Sequence, residues 1–293
     1  MSREHRRRAA NTFNRPPFAV RLASHIVVYT VAATMLIPFL WMVLTSLKTS
    51  GEANTPPSLS NLLPATPQWS NYATAWNVGG HVSLLDFYIN SFMVAAITTV
   101  LAVAHNALAG FAFSKMRFRG KAPLFWATLL TMMLPAQVFF IFAYVLCSWI
   151  GYIDNIQALV VPFLASGFGV FYMRQAVTAV PDDLIDAGRV DGMHSFDIFW
   201  TIVRPIVWPG ITALAIFTFM NSWNSFFWPL LVVDSMKMKT LPLAVADLAS
   251  AAYFTDYPTT MAAATLLVLP LVILFFFMQR AFTQGIAMTG LKE

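Results

Sequence analysis

The chain has 293 residues, of which 58% are hydrophobic and 11% charged, less than half the roughly 25% charge of a soluble domain. It cannot wet its own surface and is a membrane protein. Six apolar helices of about 20 residues take roughly 120 residues, which leaves short loops and excludes a fused ATPase or kinase domain. The formal charge of +5 is no nucleic-acid signature, because the 18 Lys and Arg sit between the apolar runs. The single cysteine, Cys147, lies in an apolar run, so an intrachain disulfide and a thiolate metal cluster are both excluded.

In chain order, a basic arm over residues 1–25 carries Arg3, Arg6, Arg7, Arg8, Arg15 and Arg21. Six apolar runs follow, at about 26–47, 90–114, 123–149, 157–173, 209–233 and 259–279. Lipid leaves helix as the only economical state for such runs, because their backbone must pair internally. Without strand-like alternation, a barrel is excluded, and the expected fold class is all-α, with six transmembrane helices. The arm resembles the start of a signal peptide, yet the first run is about as long as a full crossing with no small-x-small site after it, so it is expected to stay as the first span.

Orientation follows from Lys and Arg in the flanks. The basic arm, the 115–121 run (Lys115, Arg117, Arg119, Lys121), the 174–208 loop (Arg174, Arg189, Arg204) and the C-terminal tail (Arg280, Lys292) alternate with loops that hold only Lys48, Lys237 and Lys239. Both termini of this multi-pass membrane protein are therefore expected in the cytoplasm. Pro38, Pro135, Pro162, Pro229 and Pro270, with Asn106, Gln137, Asn221 and Asn224, interrupt the apolar runs. Interior proline bends a helix, and lipid tolerates the freed carbonyls only where neighbouring helices or a wet cavity pair them.

The stretch 174–208 does not read as a mere connection. Pro181 suits a first turn, and Asp182 and Asp183 place negative charge at the positive end of the helix dipole. Leu184, Ile185, Ala187 and Val190 recur at helical spacing up to Gly192, a residue able to take the left-handed turn that ends a helix. Ser195 then offers an N-cap for a second short helix with Phe196, Phe199, Ile202 and Val203, ending at Pro205. Two amphipathic helices joined by a glycine elbow, with Asp186, Arg189 and Asp191 on the polar side, suit a plug for a soluble partner. The competing placement on lipid headgroups is disfavoured by five Asp against two Arg over residues 182–204.

This stretch resembles the EAA loop of binding-protein-dependent ABC importer permeases, roughly E-A-A-x-x-D-G-A followed by F-x-x-I-x-L-P-x-x-x-P. Here the positions are Asp186, Ala187, Gly188, Asp191, Gly192 and Met193, then Phe199, Ile202, Arg204, Pro205 and Pro209. Asp186, Gly188, Met193 and Arg204 depart from the pattern, which has Glu, Ala, Ala and Leu. Asn90-Ser91, the 111–121 run FAFSKMRFRGK, Pro135, Ser222-Trp223-Asn224, Thr240-Leu241-Pro242 and the ending GIAMTGLKE resemble the carbohydrate-uptake branch of that family.

The resemblance implies the type I importer fold and one permease half of a larger machine. The implied partners are a second permease, expected to be a different chain, two cytoplasmic ATPases and an external solute-binding protein, all beside membrane lipid, with no role for nucleic acid. The chain has no G-x-x-x-x-G-K-[ST] loop, so ATP and Mg²⁺ belong to the ATPases and this chain is expected to hold no cofactor and no metal. The ATPase-coupling residues implied are Asp186, Ala187, Gly188, Asp191 and Gly192. The outer loops near 48–89 and 234–258 would receive the binding protein, with Tyr253, Phe254, Asp256 and Tyr257 as contacts. Asn221, Trp223 and Asn224 suit a sugar path, since amides bond hydroxyls both ways and indole is an apolar platform; interhelical hydrogen bonding suits them slightly better.

Two other readings remain at this point. One is an ABC importer permease for a cargo other than sugar. The other is a membrane prenyltransferase, in which Asp182, Asp183 and Asp186 would hold Mg²⁺ with D-D-x-x-D spacing; such an enzyme needs a second acidic cluster, and none is apparent. The five histidines show no ligand spacing, and no catalytic residue is expected.

Overall fold

The computed structural model describes residues 17–58, 61–77, 83–250 and 256–290, the last fourteen as backbone alone. The helices are α1 (Phe18–Ser46), α2 (Ser50–Ala53), α3 (Ser70–Trp76), α4 (Leu84–Lys115), α5 (Lys121–Thr131), α6 (Ala136–Trp149), α7 (Ile156–Val160), α8 (Gly167–Thr178), α9 (Asp182–Val190), α10 (Ser195–Ile198), α11 (Arg204–Trp223), α12 (Phe227–Val232), α13 (Leu241–Ala249) and α14 (Tyr257–Gly290). No strand occurs among the described residues. Among the described residues, four helical stretches are long and apolar enough to cross a membrane, and the number is six if each of two bent pairs is one span.

The chain divides into two compact units, one up to Asn71 with Asp256–Thr265, the other from Tyr72 with the rest of α14. In the first, α1 is exposed along nearly its whole length, as suits a helix whose solvent is lipid. Its last carbonyls would otherwise lack partners. Asn71 Nδ2 donates to Ser46 O at 2.8 Å and to Lys48 O at 2.9 Å. Lys48 is itself buried, its Nζ donating to Asn61 O at 2.6 Å and lying 4.8 Å from the Trp41 ring centre. Glu52 closes a capping box with Thr49 and also accepts from Ala65 N–H at 3.1 Å. These backbone donors hold its carboxyl below the usual range.

In the second unit, α4 is the central post, with α8 and α11 packed along it. Its buried residues recur every three or four positions, from Leu84 through Ser91, Val94, Ala102 and Asn106 to Phe111, one face of a helix. Small residues let the backbones meet. A Cβ on Gly110 would stand 2.6 Å from Met173 Cβ, and one on Gly169 would stand 2.6 Å from Asn106 Nδ2. Asn106 is a buried amide whose Oδ1 accepts Ser166 N–H at 3.2 Å, so it pairs a donor freed where a broken helix restarts.

The spans expected at 123–149, 157–173 and 209–233 are not single rods. The first is bent by 103° between α5 and α6, where Pro135 precedes α6; proline disfavours helix at the residue before it. The second bends by 45° between α7 and α8, next to the 3₁₀ turn that contains Pro162. The third begins earlier than expected and breaks after Trp223, ahead of α12. Helix runs unbroken from Ser195 to Trp223, through Pro205, because residues Phe199–Val203 form a π turn ahead of it. The wider i→i+5 turn relieves the missing proline N–H and the ring clash. The second short helix expected from Ser195 to Pro205 is thus the start of a 29-residue stretch, and its N-cap is His194 rather than Ser195.

At the far end of α4 from Lys115, two segments distant in sequence join. Asn90 Nδ2 donates to Lys237 O at 2.7 Å and Lys239 O at 3.0 Å, and Ser91 Oγ accepts Leu241 N–H at 2.7 Å. Nearby loops are tied by Asp154, whose Oδ1 accepts Ser235 N–H, Asp234 N–H and Ser235 Oγ–H at 2.9 to 3.0 Å. Those donors, Ser235 N–H first, hold its carboxyl below the usual range. Trp228, fully buried, donates from Nε1 to Ala158 O at 2.9 Å.

Candidate functional site

The site is built on α9 and the last turn of α4. α9 is amphipathic: Ile185 and Gly188 are buried, while Asp183, Asp186, Ala187 and Val190 are exposed, Val190 at 87%. The buried side joins a core of Phe111, Met173, Val177, Ile198, Phe199 and Val203. The helix ends as a Schellman motif. Gly192 has φ +79°, its N–H donates to Arg189 O at 3.1 Å, and Met193 N–H donates to Gly188 O at 3.0 Å. The elbow expected at Gly192 is present, with open space around the glycine.

Helix α4 ends with four carbonyls that no helical N–H can reach. Met116 N–H takes Ala112 O at 3.2 Å, and basic side chains take the other three and the Met116 carbonyl just beyond them. Arg174 Nε donates to Phe113 O at 3.2 Å, Lys121 Nζ to Ser114 O at 3.0 Å and Met116 O at 2.9 Å, and Arg189 Nη2 to Lys115 O at 3.2 Å. Positive charge at a helix C-terminus is favourable. The basic run that sets orientation is therefore also structural, a role that charge counting does not disclose.

Lys115 is the centre of this arrangement. Its side chain is 7% exposed, and its Nζ donates to Val180 O and to Asp182 Oδ1, both at 2.6 Å. The Lys115 bond and charge, with smaller help from Arg189 and Arg117, hold the Asp182 carboxyl below its usual range. Asp186 pairs with Arg189 at 2.7 Å, and both are about half exposed or more. Sequence reasoning placed Arg189 on a face presented to a partner and missed Lys115. The signal available was the coincidence of a Lys at a helix end with a D-D at a helix start.

Asp182 and Asp186 thus turn to different cations, and among the described residues no three His, Cys, Asp or Glu side chains gather to hold a metal ion. The D-D-x-x-D reading has no geometric support.

The residues suggested for a sugar path divide. Asn221 and Asn224 are exposed, with Asn224 Nδ2 donating to Met220 O at 2.9 Å. Trp223 is 2% exposed, between Phe219 and Tyr88 at ring-centre distances of 5.9 and 6.1 Å. It is a packing residue in this chain, not an open platform. Asp256 accepts from Ser50 Oγ at 2.7 Å and from Thr259 Oγ1, and Tyr257 is exposed. Tyr253 and Phe254 lie outside the described residues.

Residues 106–288 match the family described as the binding-protein-dependent transport system inner membrane component. The chain belongs to that family. It is the permease of a binding-protein-dependent ABC importer, a machine that also works through an ATPase and a solute-binding protein, and it is not an enzyme. Among relatives, the arabinooligosaccharides transport permease of Bacillus subtilis is 31% identical over 94% of this chain and 98% of its own length. The lactose transport permease of Rhizobium radiobacter is 33% identical over 90% and 94%. The sn-glycerol-3-phosphate transport permease of Agrobacterium fabrum is 30% identical over 94% and 98%. A chain in the crystal structure of a bacterial ABC transporter involved in alginate import superposes with a TM-score of 0.76 at 19% identity, covering 90% of this chain and 99% of that one. The permease therefore has the type I importer fold expected from the EAA-like loop.

Proposed function

We propose that this permease imports a sugar or sugar derivative, and that α9 with its elbow is where the ATPase docks. The sugar class is supported by relatives named for arabinooligosaccharides, lactose and glycerol 3-phosphate. The docking surface is Asp186, Ala187, Gly188, Asp191 and Gly192, with Gly188 acting from the buried side by letting α9 lie close to Ile198 and Ile202. One observation carries this reading: a nine-residue helix packed on one face presents acids and Val190 on the other, and both its ends are tied to a membrane-length helix.

In the assembled importer, ATP and Mg²⁺ sit in two ATPases, α9 faces the cytoplasm as do both termini, and a second, different permease completes the path. The basic arm over residues 1–25 serves topology. The external binding protein meets the loops at the opposite side, Asp256 and Tyr257 among them. ATP-driven closure favours the outward-facing state because the closed ATPases bind that state more tightly. Asn221 and Asn224 are the path candidates retained for this chain; unchanged solute affinity after replacing both by Leu removes them.

The test is purification of the tagged chain from its native membrane, identification of bound proteins, and uptake of labelled lactose, an arabinose oligosaccharide and glycerol 3-phosphate in vesicles. The expected result is a recovered ATPase, uptake of one of the three, and loss of uptake with continued ATP hydrolysis in Gly192→Pro and Asp186→Arg. Undiminished uptake in both variants overturns the docking role, and uptake of none of the three overturns the cargo class.

A further inference from the structure

We infer that Lys115 is a positioning residue that makes α9 and the end of α4 move as one body, so that a push on α9 is delivered to the central post of the bundle. This rests on the reading of α9 as the docking helix. A single residue holds both ends of that helix. Lys115 Nζ grips the first turn through Asp182 Oδ1 and the preceding Val180 carbonyl, and the Lys115 carbonyl receives Arg189 Nη2 from the last turn.

The connections of α9 along the chain are poor transmitters by comparison. On one side Pro181 has no N–H, and α9 begins without a side-chain cap. On the other side the chain leaves through Gly192 at φ +79°, fixed only by the two backbone bonds of the elbow and with no side chain packed around it. Apart from the latch, α9 meets α4 only through apolar packing, Ile185 sharing a core with Phe111, and such packing does not hold the polar ends of the helix in place. With the latch, displacement reaches α4, whose last turn is fixed independently to α8 by Arg174 and to α5 by Lys121. Lys115 has no freedom to serve otherwise: a nearly buried ammonium needs its acceptors, and here both belong to the turn that starts α9. The charged groups around the latch are Asp182, Arg189, Arg117 and Lys121, with Asp186 held on Arg189.

The experiment uses the assembled importer with Cys147→Ser and nitroxide labels at Leu108→Cys and Leu184→Cys, both exposed positions outside the docking residues, and measures the distance distribution with and without Mg-ATP. With Lys115 present the distribution is expected to be narrow and unmoved by nucleotide. Lys115→Met keeps the stem and removes the charge; it is expected to broaden the distribution about twofold as one end of α9 opens locally, while Lys115→Arg restores it. A distribution as narrow in Lys115→Met as in the parent overturns the inference. If Lys115→Met fails to accumulate, Asp182→Asn, whose side chain is 77% exposed, gives the same reading with little risk to folding. Failure of the parent to bring down an ATPase overturns the docking reading instead, and the widths without nucleotide still judge the latch.

Discussion

Met193 and Gly188 face each other across the elbow, with Met193 Sδ 3.4 Å from the point where a Cβ on Gly188 would stand. That point is also 3.0 Å from Ile202 Cδ1 and 3.2 Å from Ile198 Cγ1. Both residues depart from the alanines of the EAA pattern, in opposite directions of size, and the volume missing at one is supplied by the other. Gly188→Ala gains up to about 1 kcal/mol of helix propensity but crowds Ile202 and Ile198, at a cost of about 1–3 kcal/mol. Met193→Ala frees space beside the elbow into which the two isoleucines can give, so in that background the crowding falls and the propensity gain remains. A double-mutant cycle on the thermal stability of the purified assembly should give a favourable coupling of about 1 kcal/mol. Simple additivity would mean that the two departures are unrelated.

Gly192 separates backbone conformation from steric fit. No atom lies within 4 Å of a Cβ placed there, yet φ is +79°, so a substitution meets strain and no clash. Gly192→Ala should cost about 1–2 kcal/mol, the left-handed penalty of an L residue, and Gly192→Asn less, since Asn tolerates that conformation. Gly192→Pro cannot adopt it at all and deletes the N–H that bonds Arg189 O. Stability should therefore rank Gly, Asn, Ala, Pro, and uptake should follow the same order. Full uptake by the proline variant would show that the elbow geometry is dispensable.

Much of this fold is legible in composition and period, because lipid removes the alternatives to helix and the Lys and Arg lie in the loops between apolar runs. The elbow is legible too, since Pro181, the Asp pair and Gly192 are local signals. What escapes is anything set by contact between distant segments. The run through Pro205 depends on a π turn at Phe199–Val203, which no residue type announces. Asn90-Ser91 and Thr240-Leu241-Pro242 each stand out in the sequence, but only the fold shows that the first pair bonds the backbone of the second segment and its flank. Trp223 reads equally as platform or packing until Tyr88 and Phe219 are found on either side of it.

The crossing of α4 and α8 predicts a site of intolerance remote from the elbow. A Cβ on Gly110 would lie 2.6 Å from Met173 Cβ and 2.8 Å from Arg174 N, and neither atom is the end of a flexible side chain. The helices must separate to admit it. Gly110→Ala should therefore lower stability by about 1–3 kcal/mol, as overpacking does, despite its better helix propensity. Gly51→Ala, whose nearest neighbour is Thr49 Oγ1 at 4.0 Å, should change little. Equal melting temperatures for the Gly110 and Gly51 variants would contradict the close approach.

Acid should weaken the hold of Lys115 on Asp182 in a defined window. The Asp182 carboxyl titrates below its ordinary value of 3.8 in the folded protein, so the unfolded chain binds the proton more readily. Stability from this group is then fully present above the ordinary value and is lost as pH falls through the lowered one. At neutral pH, wild type should be more stable than Asp182→Asn, with a difference that stays level down to about pH 5, shrinks below about pH 4 and vanishes once both forms are uncharged there. Thermal unfolding of the two proteins side by side across that range measures it. A difference that instead changes between pH 6 and 8 would assign the effect to a group other than this carboxylate.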